Sequence, residues 1–283
     1  MSASKNCRHF LLLLIVSLLQ HSLFAEPPRF DASILQNFPS ADAYQAIAVD
    51  AEYFYTINNT QISQHLKRNG ELVARWDEAD KMNAALIHLD SGVVTDGKLI
   101  AAHSNFPRWP MRSSIEFWET ATRQHIRSHE FGVLLGSMTW LDRYEETWWG
   151  AFANYDIVQV GMIKPYGETR NTSVVKFDEQ FKVVQQWRLP DEIIARVTPM
   201  SNSGGSWGED GLLYLTGHDH PEIYVMRAPL DSAVLSWVAT VQVAGLNGQG
   251  IAWDRSSDNR ELWAILRSSR EALKIQKPEI KLN

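Results

Sequence analysis

Five stretches of this chain repeat one pattern, and that repetition constrains the fold more than any other feature. Each has small residues, a short apolar run, a turn, and a second apolar run ending in polar residues. They are AIAVDAEYFYTINN (46–59), SGVVTDGKLIAAHSN (91–105), SMTWLDRYEETWWGAFANY (137–155), GGSWGEDGLLYLTGHDH (204–220) and GIAWDRSSDNRELWAIL (250–266). Asp96-Gly97 and Asp210-Gly211 sit at the turns, where glycine accepts the positive φ of a tight hairpin. Taking Val49, Val94, Trp140, Trp207 and Trp253 as equivalent, the spacings are 45, 46, 67 and 46 residues. Hairpins at this period are the signature of β-propeller blades, and the long third interval implies an insertion near 155–170.

Each unit continues into a third strand (ISQHL, SIEFW, SVVKF, EIYVM, ALKIQ) and a fourth (ELVARW, HIRSHEF, VVQQWRL, WVATVQV), but the fifth runs out of chain before its fourth. The segment ASILQNFP (32–39) has the length and apolar content to supply it. Closing the ring this way would remove the exposed edges of an open array. The sequence therefore predicts one all-β domain over 26–283, a five-bladed propeller closed by an N-terminal strand. Six blades, with a degenerate one in the insertion, is the alternative.

Lys5 and Arg8 precede an apolar run, Phe10–Leu19, and Leu23-Phe24-Ala25 leads into Glu26-Pro27-Pro28. That is the layout of a cleavable secretory signal over residues 1–25, so the expectation is a secreted or periplasmic protein that leaves the membrane once cleaved. The one cysteine, Cys7, falls inside that segment, which excludes disulfides and thiolate chemistry from the remainder. The net charge is already −6 with the two basic residues of that segment included. With no basic cluster, a nucleic-acid partner is not expected. A monomer binding a small molecule is.

In a propeller, the start of each inner strand and the end of the next strand meet at one mouth of the ring. The starts bring His88, Asp90, Ser91, Asn202 and Gln249 there; the ends bring His103, Asn105, Tyr155, His218, Asp219, His220 and Arg267. His88, His103, His218 and His220 thus converge, while His65, His125 and His129 fall on outer strands; His125 and His129 have the i,i+4 spacing of a helical metal pair, but their segment reads as strand, so solvated surface is the expectation for those two.

Three chemistries fit that mouth. One divalent metal ion held by His103, His218 and His220, with Gln249 alongside, is the first. Metal-free proton transfer by His88, His103 or His218, oriented by Asp90 or Asp219, is the second. The third is a polar rim with no reaction at all. Asn105-Phe106-Pro107-Arg108-Trp109-Pro110 rises beside the site as a lid or stacking platform, or as a loop packed on itself, with Arg108 and Trp109 as its ligand-binding candidates. Gly204-Gly205-Ser206-Trp207-Gly208 matches the nucleophile-elbow pattern of serine hydrolases, but an elbow needs a helix next and a strand follows here. Its glycines read instead as close approach at the centre of the ring.

On HLDSGVVTDGKLIAAHSNFP, SNSGGSWGEDGLLYLTGHD and GQGIAWDR, the chain resembles exported propeller proteins often labelled cycloisomerase-like, over about residues 45–267. More distantly, in topology and the closing GIAWD strand, it is similar to the propeller glutamine cyclotransferases. The Phe-Thr-Gln-Gly and Asn-Glu-Leu-Glu segments of that second family are absent, so its activity is not implied. The first resemblance implies an isomerase, lyase or hydrolase acting on a small polar, carboxylated or sugar-like molecule. A non-catalytic binding propeller remains the alternative, because a fold does not fix a function.

Overall fold

The computed structural model describes residues 26–77, 86–133, 135–165, 167–257 and 261–281. The signal-type segment 1–25 lies outside them. Five sheets form a five-bladed ring. The first blade is Ala46–Val49, Tyr53–Ile57, Gln61–Leu66 and Leu72–Asp77; the second is Leu89–Thr95, Lys98–Ser104, Ser113–Glu119 and His125–Gly132. The third is Ser137–Tyr144, Thr147–Ala153, Ser173–Phe177 and Val183–Arg188; the fourth begins with Gly204–Trp207, Leu213–Thr216, Glu222–Arg227 and Ser236–Gln242. The fifth has Ala252–Trp253, Glu261–Leu266 and Glu271–Gln276, completed by Ser33–Pro39 running antiparallel to Glu271–Gln276. Each inner strand packs against the next and the fifth against the first, so the ring closes.

The N-terminal strand pairs with the last blade as the sequence predicts, and a preceding segment does something further. Arg29–Asp31 adds to the fourth blade as a fifth, parallel strand beside Ser236–Gln242. One run of residues therefore covers the outer edges of two neighbouring blades, the positions where unpaired backbone groups would otherwise face water.

Apolar residues sort by depth. The inner strands Ala46–Val49 and Gly204–Trp207 are buried throughout, while the outer strand His125–Gly132 has no buried residue and Val183–Arg188 buries only Trp187. Besides a smaller apolar cluster of Met111, Ala153 and Tyr155 packed beneath the 105–110 loop, five apolar clusters occupy the seams between adjacent blades, one in each. The tryptophans concentrate there: Trp149 stacks on Trp187 at 5.3 Å and lies 4.6 Å from Trp207 across the third seam. Filling a seam with large rings buries much apolar area per residue, and truncating one to alanine typically costs about 3–5 kcal/mol.

The Gly-x-Ser-x-Gly match belongs to this packing. A Cβ on Gly205 would lie 2.4 Å from the Trp140 ring, and Ser206 Oγ donates to the buried Asp142 at 3.0 Å. Ser206 therefore joins two inner strands and has no nucleophile's exposure. Asp142 also accepts two bonds from Arg255, at 3.0 and 2.8 Å, and the Trp207 amide at 2.8 Å. This cluster ties the third, fourth and fifth blades together at the hairpin-tip mouth.

The long interval of the repeat has two sources. The predicted insertion near 155–170 is largely irregular over its described residues 156–165 and 167–168. The second source is the connection from the third blade to the fourth, which carries the helix Asp191–Val197 and was not visible in the strand pattern.

Candidate functional site

At the mouth where inner strands begin, a cavity of about 130 Å³ opens on the ring axis. Three of its lining residues immediately precede inner strands: Gln45 before Ala46, His88 before Leu89 and Ser203 before Gly204. The position before an inner strand is where the chain turns from the rim towards the axis, so its side chain reaches the centre. Asp90 and Thr139 come from the first residues of two inner strands, and Gln249 from the linker before the fifth blade. Gln249 adopts φ +72°, fixed by its amide bond to Gly217 and its carbonyl bond from Thr216 Oγ1 at 2.6 Å. His218 and Arg267 close one side; Phe106, Tyr155 and Met200 form an apolar wall.

Burial dominates the electrostatics. His88 Nε2 lies 3.8 Å from Asp90 Oδ2. Desolvation, with the neighbouring His103 and Arg267, lowers the His88 imidazole to about 4. Desolvation also pushes the Asp90 carboxyl well above the usual range, against the Ser91 amide and the Arg267 charge. Both groups are driven to neutral forms, so the contact is an imidazole beside a carboxylic acid and not an ion pair. Burial likewise raises the Tyr155 phenol.

Several polar atoms here have no partner. Asp90 Oδ1, Thr139 Oγ1 and Gln249 Nε2 are buried, line the cavity and make no hydrogen bond. Ser91 Oγ, behind Asp90 and against Gly250, is also unpartnered. Buried polar groups are nearly always satisfied, so a cluster of exceptions at one cavity calls for an absent partner.

Arg267 lays its guanidinium 3.8 Å over the Tyr44 ring and donates to His218 Nε2 at 3.2 Å. His218 Nε2 therefore acts as acceptor, and Nδ1 carries the proton it donates to Asp219 Oδ1 at 2.6 Å. Asp219 orients His218 from outside the cavity, with its own side chain 64% exposed.

Of the residues chosen from sequence, His88, Asp90, Tyr155, His218, Gln249 and Arg267 meet at the cavity. Others do not. The His103 ring turns into its own blade: Nε2 accepts the Ile87 amide at 3.3 Å and Nδ1 donates to Ser114 Oγ at 2.9 Å. Ser114 donates on to Glu116, which also receives His125 Nε2 at 2.7 Å. His103 is thus a buried link that fixes the backbone next to His88, and His125 is its distant partner, contrary to the expectation of solvated surface. Asn202 is consumed by Trp140 Nε1 and by the carbonyls of Gly204 and Thr216, each at 2.8 Å.

His220 is exposed outside the cavity. With both nitrogens of His103 and of His218 engaged, His103, His218 and His220 do not form a metal-binding set. Among the described residues, no group of three or more histidine, cysteine, aspartate or glutamate side chains is placed to hold a metal ion.

In the 105–110 loop, Asn105 closes the loop on itself, accepting from the Arg112 amide and donating to the Pro110 carbonyl. Arg108 pairs through its backbone with Val160 of the insertion, and Trp109 stays 41% exposed. Phe106 is the loop residue that reaches the cavity, 5.1 Å from His88 and 4.9 Å from Tyr155. Sequence reasoning missed Phe106, Gln45, Thr139 and Met200. Gln45 was recoverable from the repeat, since it stands one residue before its inner strand as His88 does. Met200 follows the unforeseen helix and had no such signal.

No family model matches the chain, and no curated protein matches it. Among solved structures, one titled as luciferin-regenerating enzyme matches with a TM-score of 0.51 and 11% identity, over 88% of this chain and 97% of that one. A complex of KlAtg21 with the coiled coil of AgAtg16 matches with a TM-score of 0.40 and 13% identity, over 83% of this chain and 66% of that one. At such identity the first likeness bears on the fold alone, and it agrees with a propeller.

Proposed function

We propose that the protein is an exported enzyme of the isomerase, lyase or hydrolase type that moves protons on a small polar molecule held at this mouth. The observation that carries the reading is the His88–Asp90 pair. Two ionisable side chains 3.8 Å apart, both pushed neutral, face one cavity with unpartnered buried polar atoms around it. Held neutral, the imidazole has a free lone pair to take a proton and the carboxylic acid has one to give, so the two can act together on one ligand. In an isomerisation, His88 takes a proton from one ligand atom while Asp90 supplies one to another, so the product keeps the composition of the substrate. The imidazolium and carboxylate left behind then neutralise each other across the short gap between them. At about 30 Å³ per water, the cavity of about 130 Å³ has room for roughly four waters, which suits a small organic molecule. The resemblance to cycloisomerase-like propellers points to the same class.

The test is proton exchange. Lactones, hydroxy acids and oxo acids are incubated with residues 26–283 in heavy water, and loss of carbon-bound proton signals is followed by NMR. His88→Gln and Asp90→Asn should each slow exchange by about 100-fold or more while melting stays within a few degrees of wild type. Exchange in either variant at the wild-type rate would refute the assignment.

A further inference from the structure

We infer that the cavity recognises a singly charged carboxylate that carries an oxygenated group, with the carboxylate on Arg267 and the oxygenated end towards Asp90. This rests on the small-molecule site described above and specifies the ligand.

Charge comes first. Arg267 has no carboxylate partner among the hydrogen bonds and ion pairs of the described residues; its neighbours are the Tyr44 face and the neutral acceptor of His218. An arginine held by stacking keeps its remaining N–H groups for a planar anion, and a carboxylate matches that fork. Arg270 lies over the same tyrosine ring at 4.2 Å and donates to the Ala41 carbonyl, so a second guanidinium adds to the positive field at this rim. Among the described residues that line the cavity there is no other permanent charge, because burial holds Asp90 and His88 neutral. One fixed cation in a small buried site selects one negative charge; a second would be desolvated unpaired.

The other polar groups of the lining are uncharged. Asp90 and Thr139 stand on two inner strands and Gln249 in the linker before the fifth blade, and their Oδ1, Oγ1 and Nε2 have no partner among the described residues. A hydroxyl or carbonyl oxygen would satisfy such donors, whereas an alkyl group would leave them all orphaned. The apolar wall of Phe106 and Met200 accommodates the carbon skeleton between the two ends. Glycolate, lactate and their oxo counterparts are the simplest members of this class.

The test uses glycolate and lactate, their amides, propanoate and the dianion malonate, titrated into residues 26–283 with ligand-observed NMR and thermal melting. Wild type should bind glycolate and lactate at least 10-fold more tightly than the matching amides, propanoate or malonate. Arg267→Gln should lose that preference for the acids and leave amide binding unchanged, and Arg267→Lys should recover part of it. Equal binding of acids by wild type and Arg267→Gln, preference for malonate or the amides, or absence of binding at 100 mM acid would each overturn the inference. The two ideas fail separately. Acid binding lost in Arg267→Gln but without proton exchange removes the catalytic reading and leaves the monocarboxylate site standing. Proton exchange on neutral lactones alone does the reverse.

Discussion

Burial biases three side chains near the cavity, and the biases have opposite signs in pH. Between about 4 and 6.5, the unfolded chain binds protons at positions 88 and 103 that the folded protein refuses. Their contribution to stability therefore rises with pH across that window. Asp90 opposes them: its folded carboxyl keeps a proton that the unfolded chain releases above about 3.8, so its contribution is full below that value and is lost as pH climbs towards its raised native value. Asp90→Asn should therefore make stability rise more steeply between pH 4 and 6.5 than in wild type, and His103→Gln less steeply. Urea unfolding at half-unit pH steps reads both slopes; parallel profiles for all three proteins would contradict the shifts. At this scale the sequence located the mouth better than its chemistry. Register along a strand fixes which way a side chain points, as for Asp90, and the turn before a strand fixes His88. His103 ends a strand at the same mouth, yet Ser114 and the Ile87 amide turn its ring inward. Competing partners of that kind are brought close only by folding, and so are invisible to spacing.

The N-terminal segment shows what one element contributes. Ser33–Pro39 supplies the outer strand of the fifth blade and inserts Phe38, stacked 5.8 Å from Trp263 and 5.2 Å from Phe54, into the seam with the first. Arg29–Asp31 adds three residues to the fourth blade, held by Arg29 to Glu222 at 2.8 Å and, next to it, Glu26 to Arg196 at 2.6 Å. Ion pairs with exposed members are worth about 1 kcal/mol or less, whereas a buried phenylalanine is worth about 3–5. Removing residues 26–31 should lower the melting temperature by a few degrees, and removing 26–39 should abolish cooperative melting. Unchanged melting of the longer deletion would mean the ring does not depend on this strand. The strand was legible because the fifth unit lacked one and the segment 32–39 matched it. The extra parallel strand was not, since three residues carry no periodicity of their own.

For the whole molecule, blades that each bury little alone become stable by sharing seams, and the Asp142–Arg255 cluster adds a polar tie at the hairpin-tip mouth. Asp142 loses five donors if truncated: Arg255 twice, Ser206, and the amides of Trp207 and Arg143. Asp142→Ala should therefore cost about 3 kcal/mol, near the low end for breaking a buried pair because Arg255 keeps partial access to water. The double variant Asp142→Leu with Arg255→Met should recover part of that loss in urea unfolding. A double variant less stable than the single would show that the tie is worth more than its desolvation. The five-fold plan was readable because hairpins recur at a near-constant period. The helix Asp191–Val197 was not, since it occurs once and breaks the repeat.

The pairing of Ser33 with Gln276 joins residues far apart in the chain. Ser33–Pro39 has no partner until Glu271–Gln276 exists, and a pairing of such long range is slowed by loop-closure entropy. Four blades can assemble as they emerge, but the fifth waits for its final hairpin. Until then the waiting strand offers Ile34 and Leu35 to any other β edge nearby. For a chain of this design, the interval between the first blade's assembly and the last strand's arrival is the period of greatest exposure to misassociation, and the ribosome's pace sets its length.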